Sequence, residues 1–151
     1  MPKIAIFDYG AGNLFNLQQS LLRNGAHADI VDTLRKIEDY DGIVLPGVGN
    51  FDNAIESIKS SVCSFMDAMD NGVPILGICL GLEMLFCRSE EGTLEGLKIL
   101  DGDVVMLPKI SVKVPHMGWN NLETIRKDSK LLDGIKEGSW VYFVHSYRIN
   151  P

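Results

Sequence analysis

The sequence predicts an α/β fold: a mainly parallel sheet flanked by helices. Two observations carry this. Up to Gly96, short and almost wholly apolar runs alternate with stripes of helical spacing, the pattern of strands covered on both faces by crossover helices. Successive units are separated by Asn-Gly and Pro-Gly punctuation, which suits right-handed βα connections of ordinary length. A chain of 151 residues, 46% hydrophobic and 23% charged, is large enough for one well-filled domain, so residues 1–151 are read as a single unit.

Ile4 to Phe7 reads as the first strand. The loop Asp8-Tyr9-Gly10-Ala11-Gly12 follows, with Asn13 as helix N-cap. Leu14, Leu17, Leu21 and Leu22 then mark one face of a helix that Asn24-Gly25 ends. His27 to Val31 is the second strand, and Gly42 to Leu45 the third, stopped by Pro46-Gly47. Asn50 or Asp52 caps one long helix carrying Ile55, Ile58, Val62, Phe65, Met66 and Met69, closed by Asn71-Gly72. Pro74 to Ile78 forms the fourth strand, and Leu82 to Phe86 open the next helix. Beyond Gly96 the pattern shortens. Residues 97–100, 103–107 and 111–114 read as short strands, 115–121 as a loop, 129–135 as a short helix, and 140–144 as a buried strand running into His145-Ser146-Tyr147.

Charge and length exclude several classes. A net charge of −6 and a pI near 5.0 disfavour nucleic acid or an anionic membrane as partner. No apolar stretch approaches the roughly 20 residues that span a bilayer, and the N-terminal run is too short for a secretory signal. Three cysteines without metal-ligand spacing suggest a reducing, cytoplasmic setting, with no metal and no cofactor expected. Gly10-Ala11-Gly12-Asn13 lacks the third glycine of a dinucleotide fingerprint.

Chemistry concentrates at Gly77-Ile78-Cys79-Leu80-Gly81. An apolar strand turns there directly into a helical pattern with a thiol at the apex, the G-x-nucleophile-x-G elbow with Cys in the nucleophile position. The flanking glycines suit a turn too tight for side chains. A helix N-terminus beneath Cys79 is expected to lower its pKa. Acyl transfer by a thiolate also needs N–H donors for the developing oxyanion. Leu80 N–H is the expected first donor, and the glycine-rich Pro46-Gly47-Val48-Gly49 loop the source of the second. Ligands in such sheets bind beyond the carboxyl ends of the strands, so the loops after the first, third and fourth strands should meet at one edge. Of the three histidines, His145 ends the last strand and could approach that edge; His116 sits in a contact-like loop, and His27 lies far away. Cys63 and Cys87 read as small core-lining residues, and Trp119 and Trp140 as packing or partner contacts.

Six motifs in order resemble the class I glutamine amidotransferases, in particular the glutaminase subunit of imidazole glycerol phosphate synthase. They are Phe7-Asp8-Tyr9-Gly10-Ala11-Gly12-Asn13-Leu14, Leu45-Pro46-Gly47-Val48-Gly49, Gly77-Ile78-Cys79-Leu80-Gly81, Ser89-Glu90-Glu91-Gly92, Pro115-His116-Met117-Gly118-Trp119-Asn120 and Tyr142-Phe143-Val144-His145-Ser146-Tyr147. The resemblance implies a flavodoxin-like sheet and a thioester mechanism on L-glutamine with Cys79 as nucleophile. It further implies an oxyanion hole from Val48, Gly49 and Leu80 and glutamine held around Gly47, Glu83, His145, Ser146 and Tyr147. Asn13, His116, Met117, Trp119 and Asn120 would face a cyclase barrel subunit that receives the ammonia for histidine biosynthesis.

Two departures from the family pattern matter. Glu83 stands where the family usually has Gln; a carboxylate there could accept from the substrate's amino group and is expected to raise the Cys79 pKa. The family's His-Pro-Glu motif has no match, so the chain reads as C-terminally truncated and is expected to turn over glutamine poorly or not at all. Two other readings remain: a catalytically inert scaffold subunit, or a cysteine redox sensor of the same fold with Asp8 as the carboxylate near the thiol.

Overall fold

The computed structural model describes residues 1–33, 39–110, 113–123 and 128–151. They form two units: Met1–Val105 with Ile149–Pro151, and Met106–Arg148.

In the first unit, β1 (Lys3–Phe7), β2 (His27–Val31), β3 (Gly42–Leu45) and β4 (Ile75–Gly77) form a parallel sheet in the order β2-β1-β3-β4. The register sets Ile6 against Ile30 and Val44, and Leu45 against Gly77. Parallel neighbours require crossovers. The first is α1 (Leu14–Arg23), whose N-cap Asn13 accepts from Asn16 N–H at 3.2 Å. It ends at Asn24-Gly25, where Gly25 takes φ +82°.

The second crossover was expected as one long helix. It is instead α2 (Phe51–Ile58), a 3-10 turn at Lys59–Ser61 and α3 (Val62–Asp70). The break falls at Ser60-Ser61, a pair of weak helix formers, and Ser61 has φ −107° and ψ 0° with no side-chain cap bond. Asn50 is the cap of α2, accepting from Asn53 N–H at 3.2 Å. Phe7, Phe51, Phe65, Ile6, Ile43, Leu45 and Ile58 are at most 1% exposed and make the core. Phe65 meets Phe7 edge to face, with ring centroids 5.3 Å apart.

Three further departures concern the thiols and the later segments of this unit. The helix after the elbow is the short α4 (Leu80–Glu83). Residues 97–100 are not a strand: the N–H groups of Leu97, Ile99 and Leu100 donate to the carbonyls of Met84 and Leu85, which draws the segment back onto the turns after α4. Cys63 is exposed on α3 and lines no core, while Cys87 is half-buried. A second sheet has the order β5 (Arg88–Ser89), β6 (Asp103–Met106) and β9 (Tyr147–Asn150).

In the second unit, the segment expected to be a loop is a strand, β7 (His116–Asn121), paired antiparallel with β8 (Trp140–His145). Its own sequence carries little β signal; six cross-strand partners on β8 supply the reason to extend. Strand β8 is not buried as expected, since alternation puts Trp140, Tyr142 and Val144 outward at 62%, 55% and 54% exposure. The expected helix over 129–135 is only a 3-10 turn at Lys130–Leu132. Of the strand expected over 111–114, residues 111–112 lie outside the described residues, and 113–114 are not strand.

Candidate active site

Strand β4 delivers its chain to Cys79, which takes φ 53° and ψ −117°. A non-glycine residue in this region stores strain, which persists only where the surroundings enforce it. Here they do. A Cβ at Gly77 would stand 2.5 Å from Leu82 Cα, and one at Gly81 would overlap the Leu45 carbonyl. The elbow therefore closes tightly against the end of β3, and only glycine fits on either side of the nucleophile.

The loop after β3 packs on this elbow. A Cβ at Gly47 would lie 2.5 Å from Gly81 N, 2.6 Å from Leu80 Cβ and 2.8 Å from Tyr9 Oη. Tyr9 donates its hydroxyl to the Pro46 carbonyl, and a Cβ at Gly12 would touch Pro46. Loops from β1, β3 and β4 thus meet at one edge, as strand order and the switch-point rule require. Val48 is 63% exposed, and Gly49 has φ +124° with open space around it. The backbone between Gly47 and Asn50 is free on its outer side and held on its inner side.

Electrostatics around the thiol oppose one sequence expectation. Burial raises the pKa of Cys79 most; a hydrogen bond from Leu80 N–H works the other way, and the charges of Glu83 and Glu91 raise it further. Although Cys79 is exposed as a residue, its sulfur is partly withdrawn from water. The anticipated lowering at the helix N-terminus is confined to the Leu80 N–H bond, and burial outweighs it. Glu83 is itself pushed up to about 7, by burial first and by Glu91 second. Tyr9 is held well above its ordinary range by burial and by Cys79.

Leu80 N–H is the donor already turned toward the sulfur, and Gly47, Val48 and Gly49 form the adjoining loop. Glu83 lies beside the thiol. Asn13 caps α1 just after the loop that touches Pro46. His145, Ser146 and Tyr147 fall at the end of β8 and the start of β9. His145 Nδ1 lies 2.7 Å from the Tyr147 carbonyl and donates to it, while Nε2 lies 2.9 Å from His116 Nδ1. Met117 and Trp119 share the exposed face of the β7–β8 hairpin; His116 and Asn120 occupy the other.

Sequence reasoning missed Tyr9 and Glu91 as neighbours of the thiol. Glu91 stood in a quoted motif without a role, and Tyr9 is assigned only by the convergence of loops. Asp8 does not act on Cys79; it accepts from Gly10 N–H at 2.9 Å in its own turn. Among the described residues no cluster of three or more His, Cys, Asp or Glu could hold a metal ion, and no helix is long and apolar enough to cross a membrane.

Known proteins resemble this chain in sequence and fold. The family model for glutamine amidotransferase class-I matches residues 5–151. Imidazole glycerol phosphate synthase subunit HisH of Caldanaerobacter subterraneus subsp. tengcongensis is 47% identical over 97% of this chain and 73% of its own length. The subunit of the same name from Methanosarcina acetivorans is 45% identical over 99% of this chain and 74% of its own. Among solved structures, a glutamine amidotransferase crystal structure superposes with a TM-score of 0.73 at 15% identity, covering 98% of this chain and 74% of the other. Near-complete matches at this identity, on a fold whose nucleophile elbow is intact, place the chain in the class I glutamine amidotransferase family.

Proposed function

We propose that this chain is the glutamine-hydrolysing subunit of an imidazole glycerol phosphate synthase, working in the cytoplasm and passing ammonia to a cyclase barrel subunit. The observation that carries the reading is Cys79 at a strained elbow, with Leu80 N–H on its sulfur and the Gly47–Gly49 backbone packed against it. Relatives matched over nearly the whole chain bear the name of that subunit.

In this reading the Cys79 thiolate attacks the carboxamide carbon of L-glutamine. The carbonyl oxygen takes up negative charge against Leu80 N–H and an N–H of Val48 or Gly49. Collapse expels the nitrogen, which leaves as ammonia carrying the proton that the thiol gave up, and a γ-glutamyl thioester remains. Water then cleaves the thioester to glutamate and restores the thiol. Glu83 receives the substrate's ammonium group. A positive charge there offsets the two carboxylates and favours the thiolate, so substrate binding itself raises nucleophilicity.

The hairpin of the second unit supports a partner surface. Met117, Trp119, Trp140, Tyr142 and Val144 are each more than half exposed. Trp119 and Tyr142 meet edge to face at 5.7 Å. Exposed aromatic patches of this kind are typical of protein contacts.

A diazoketone analogue of glutamine tests the assignment. Stoichiometric, irreversible mass gain at Cys79, blocked by excess L-glutamine, is expected. Labelling that glutamine does not slow would defeat the glutamine site.

A further inference from the structure

We propose that Asp52, together with the segment it grips, is a positioning device for the oxyanion loop. This rests on the amidotransferase reading above. The Ser89-Glu90-Glu91-Gly92 motif and the two residues after it are bonded to the first turn of α2, immediately downstream of Gly49. The Asp52 carboxylate accepts from Thr93 N–H at 2.9 and 3.0 Å, from Thr93 Oγ1 at 3.0 Å and from Leu94 N–H at 3.0 Å. Glu91 Oε2 accepts from Phe51 N–H at 3.0 Å, capturing one of the helix's free N-terminal donors. A Cβ at Gly92 would overlap Asp52 Oδ1, so glycine is required for the carboxylate to seat. These bonds also hold Asp52 below the ordinary carboxylate range, which keeps the grip charged through neutral and mildly acid pH.

The consequence is mechanical. At its entry, residue Pro46 is held by Tyr9, and Gly47 is packed against Gly81. At its exit, Phe51 is fully buried and bonded to Glu91, and Asp52 is bonded on both carboxylate oxygens. Only Val48, Gly49 and Asn50 lie between the anchors, and Gly49 alone among them has a positive φ. Backbone rotation that aims an N–H at the oxyanion is thereby confined to this stretch and returns to one orientation. Loosening the exit spreads that orientation and weakens charge stabilisation without touching the sulfur.

The test uses the full chain and two reagents. The aldehyde analogue of glutamine, glutamate γ-semialdehyde, adds Cys79 sulfur to its carbonyl carbon while the thiol proton passes to oxygen, so its affinity reads the oxyanion site. Iodoacetamide alkylates the same thiol by displacing iodide and needs no oxyanion hole. Asp52→Asn is expected to weaken aldehyde binding about tenfold, while alkylation stays within about twofold. Hydrogen exchange at residues 48–50 should quicken in the same variant. Thr93→Val, which removes only the hydroxyl bond, should move both readouts less and in the same direction. Equal losses with both reagents, or unchanged exchange at residues 48–50, would overturn the clamp. If the unaltered chain does not bind the aldehyde, the amidotransferase reading falls, and the exchange measurement still decides the clamp by itself.

Discussion

Phe7, Phe51 and Phe65 of the first unit are at most 1% exposed, whereas Trp119, Trp140 and Tyr142 of the second are between 55% and 67% exposed. No described residue in Met106–Arg148 is buried. The first unit thus buries most of its phenylalanines in a core, Phe15 on α1 being the exposed exception at 66%, and the second displays Trp119, Trp140 and Tyr142. The difference teaches that apolar content alone does not say what a segment is for. In the first unit, burial fixes strands and helices so that three loops converge on Cys79. In the second, a two-stranded hairpin, a form that is marginal by itself, offers a surface.

The comparison breaks most sharply under core truncation. Phe65→Ala should cost about 3–5 kcal/mol, because it removes a fully buried ring and its edge-to-face contact with Phe7. Trp119→Ala should change stability by no more than about 0.5 kcal/mol. Urea unfolding of the two variants measures both; equal losses would erase the distinction between the units. Gly81→Ala comes next, at about 1–3 kcal/mol with loss of Cys79 labelling, because its Cβ meets the Leu45 carbonyl and backbone cannot yield as a flexible side chain would. A smaller effect belongs to the hairpin face. Trp119→Ala with Tyr142→Ala should weaken binding of a cyclase barrel subunit at least about tenfold, by titration, with Cys79 alkylation unchanged.

The smallest expected effect is on protons. Glu83 has a folded pKa of about 7 against an ordinary 4.5, so it is raised on folding. Its favourable contribution is fully present below the lower value and is lost as pH rises through the higher one. Glu83→Gln should therefore change the urea midpoint little at about pH 4 and raise it relative to the parent at about pH 8. Removing that charge should also lower the Cys79 pKa, giving faster iodoacetamide alkylation on the alkaline side of neutrality. An advantage confined to acid pH would reverse the assigned sign.

Legibility in the sequence followed the same division. In the first unit, Leu14, Leu17, Leu21 and Leu22 announced α1, Asn13 its cap, and Gly77 and Gly81 the elbow, because each depends on neighbours within a few positions. The break at Ser60 and Ser61, and the turns over residues 97–100, depend on competition between local bonding choices and were not readable. In the second unit, β7 was hidden because its extension depends on β8, some twenty residues later in the register that pairs Asn121 with Trp140. For Cys79 the rise from Glu83 was legible in the sequence, whereas burial, the largest cause, and the added charge of Glu91 were not, and together they outweigh the lowering expected from the helix N-terminus.

Local spacing by itself determined the alternating strands and helices, the thiol at their fourth junction and the glycine loop after the third strand, since strand and helix periods and glycine's conformational range are properties of a few adjacent residues. Only the tertiary structure decided which groups face that thiol, that Asp52 grips Thr93 and Leu94 across some forty positions, and which side of β8 stays in water. Those outcomes are sums over contacts distant in sequence, and such sums exist only once the chain has closed on itself.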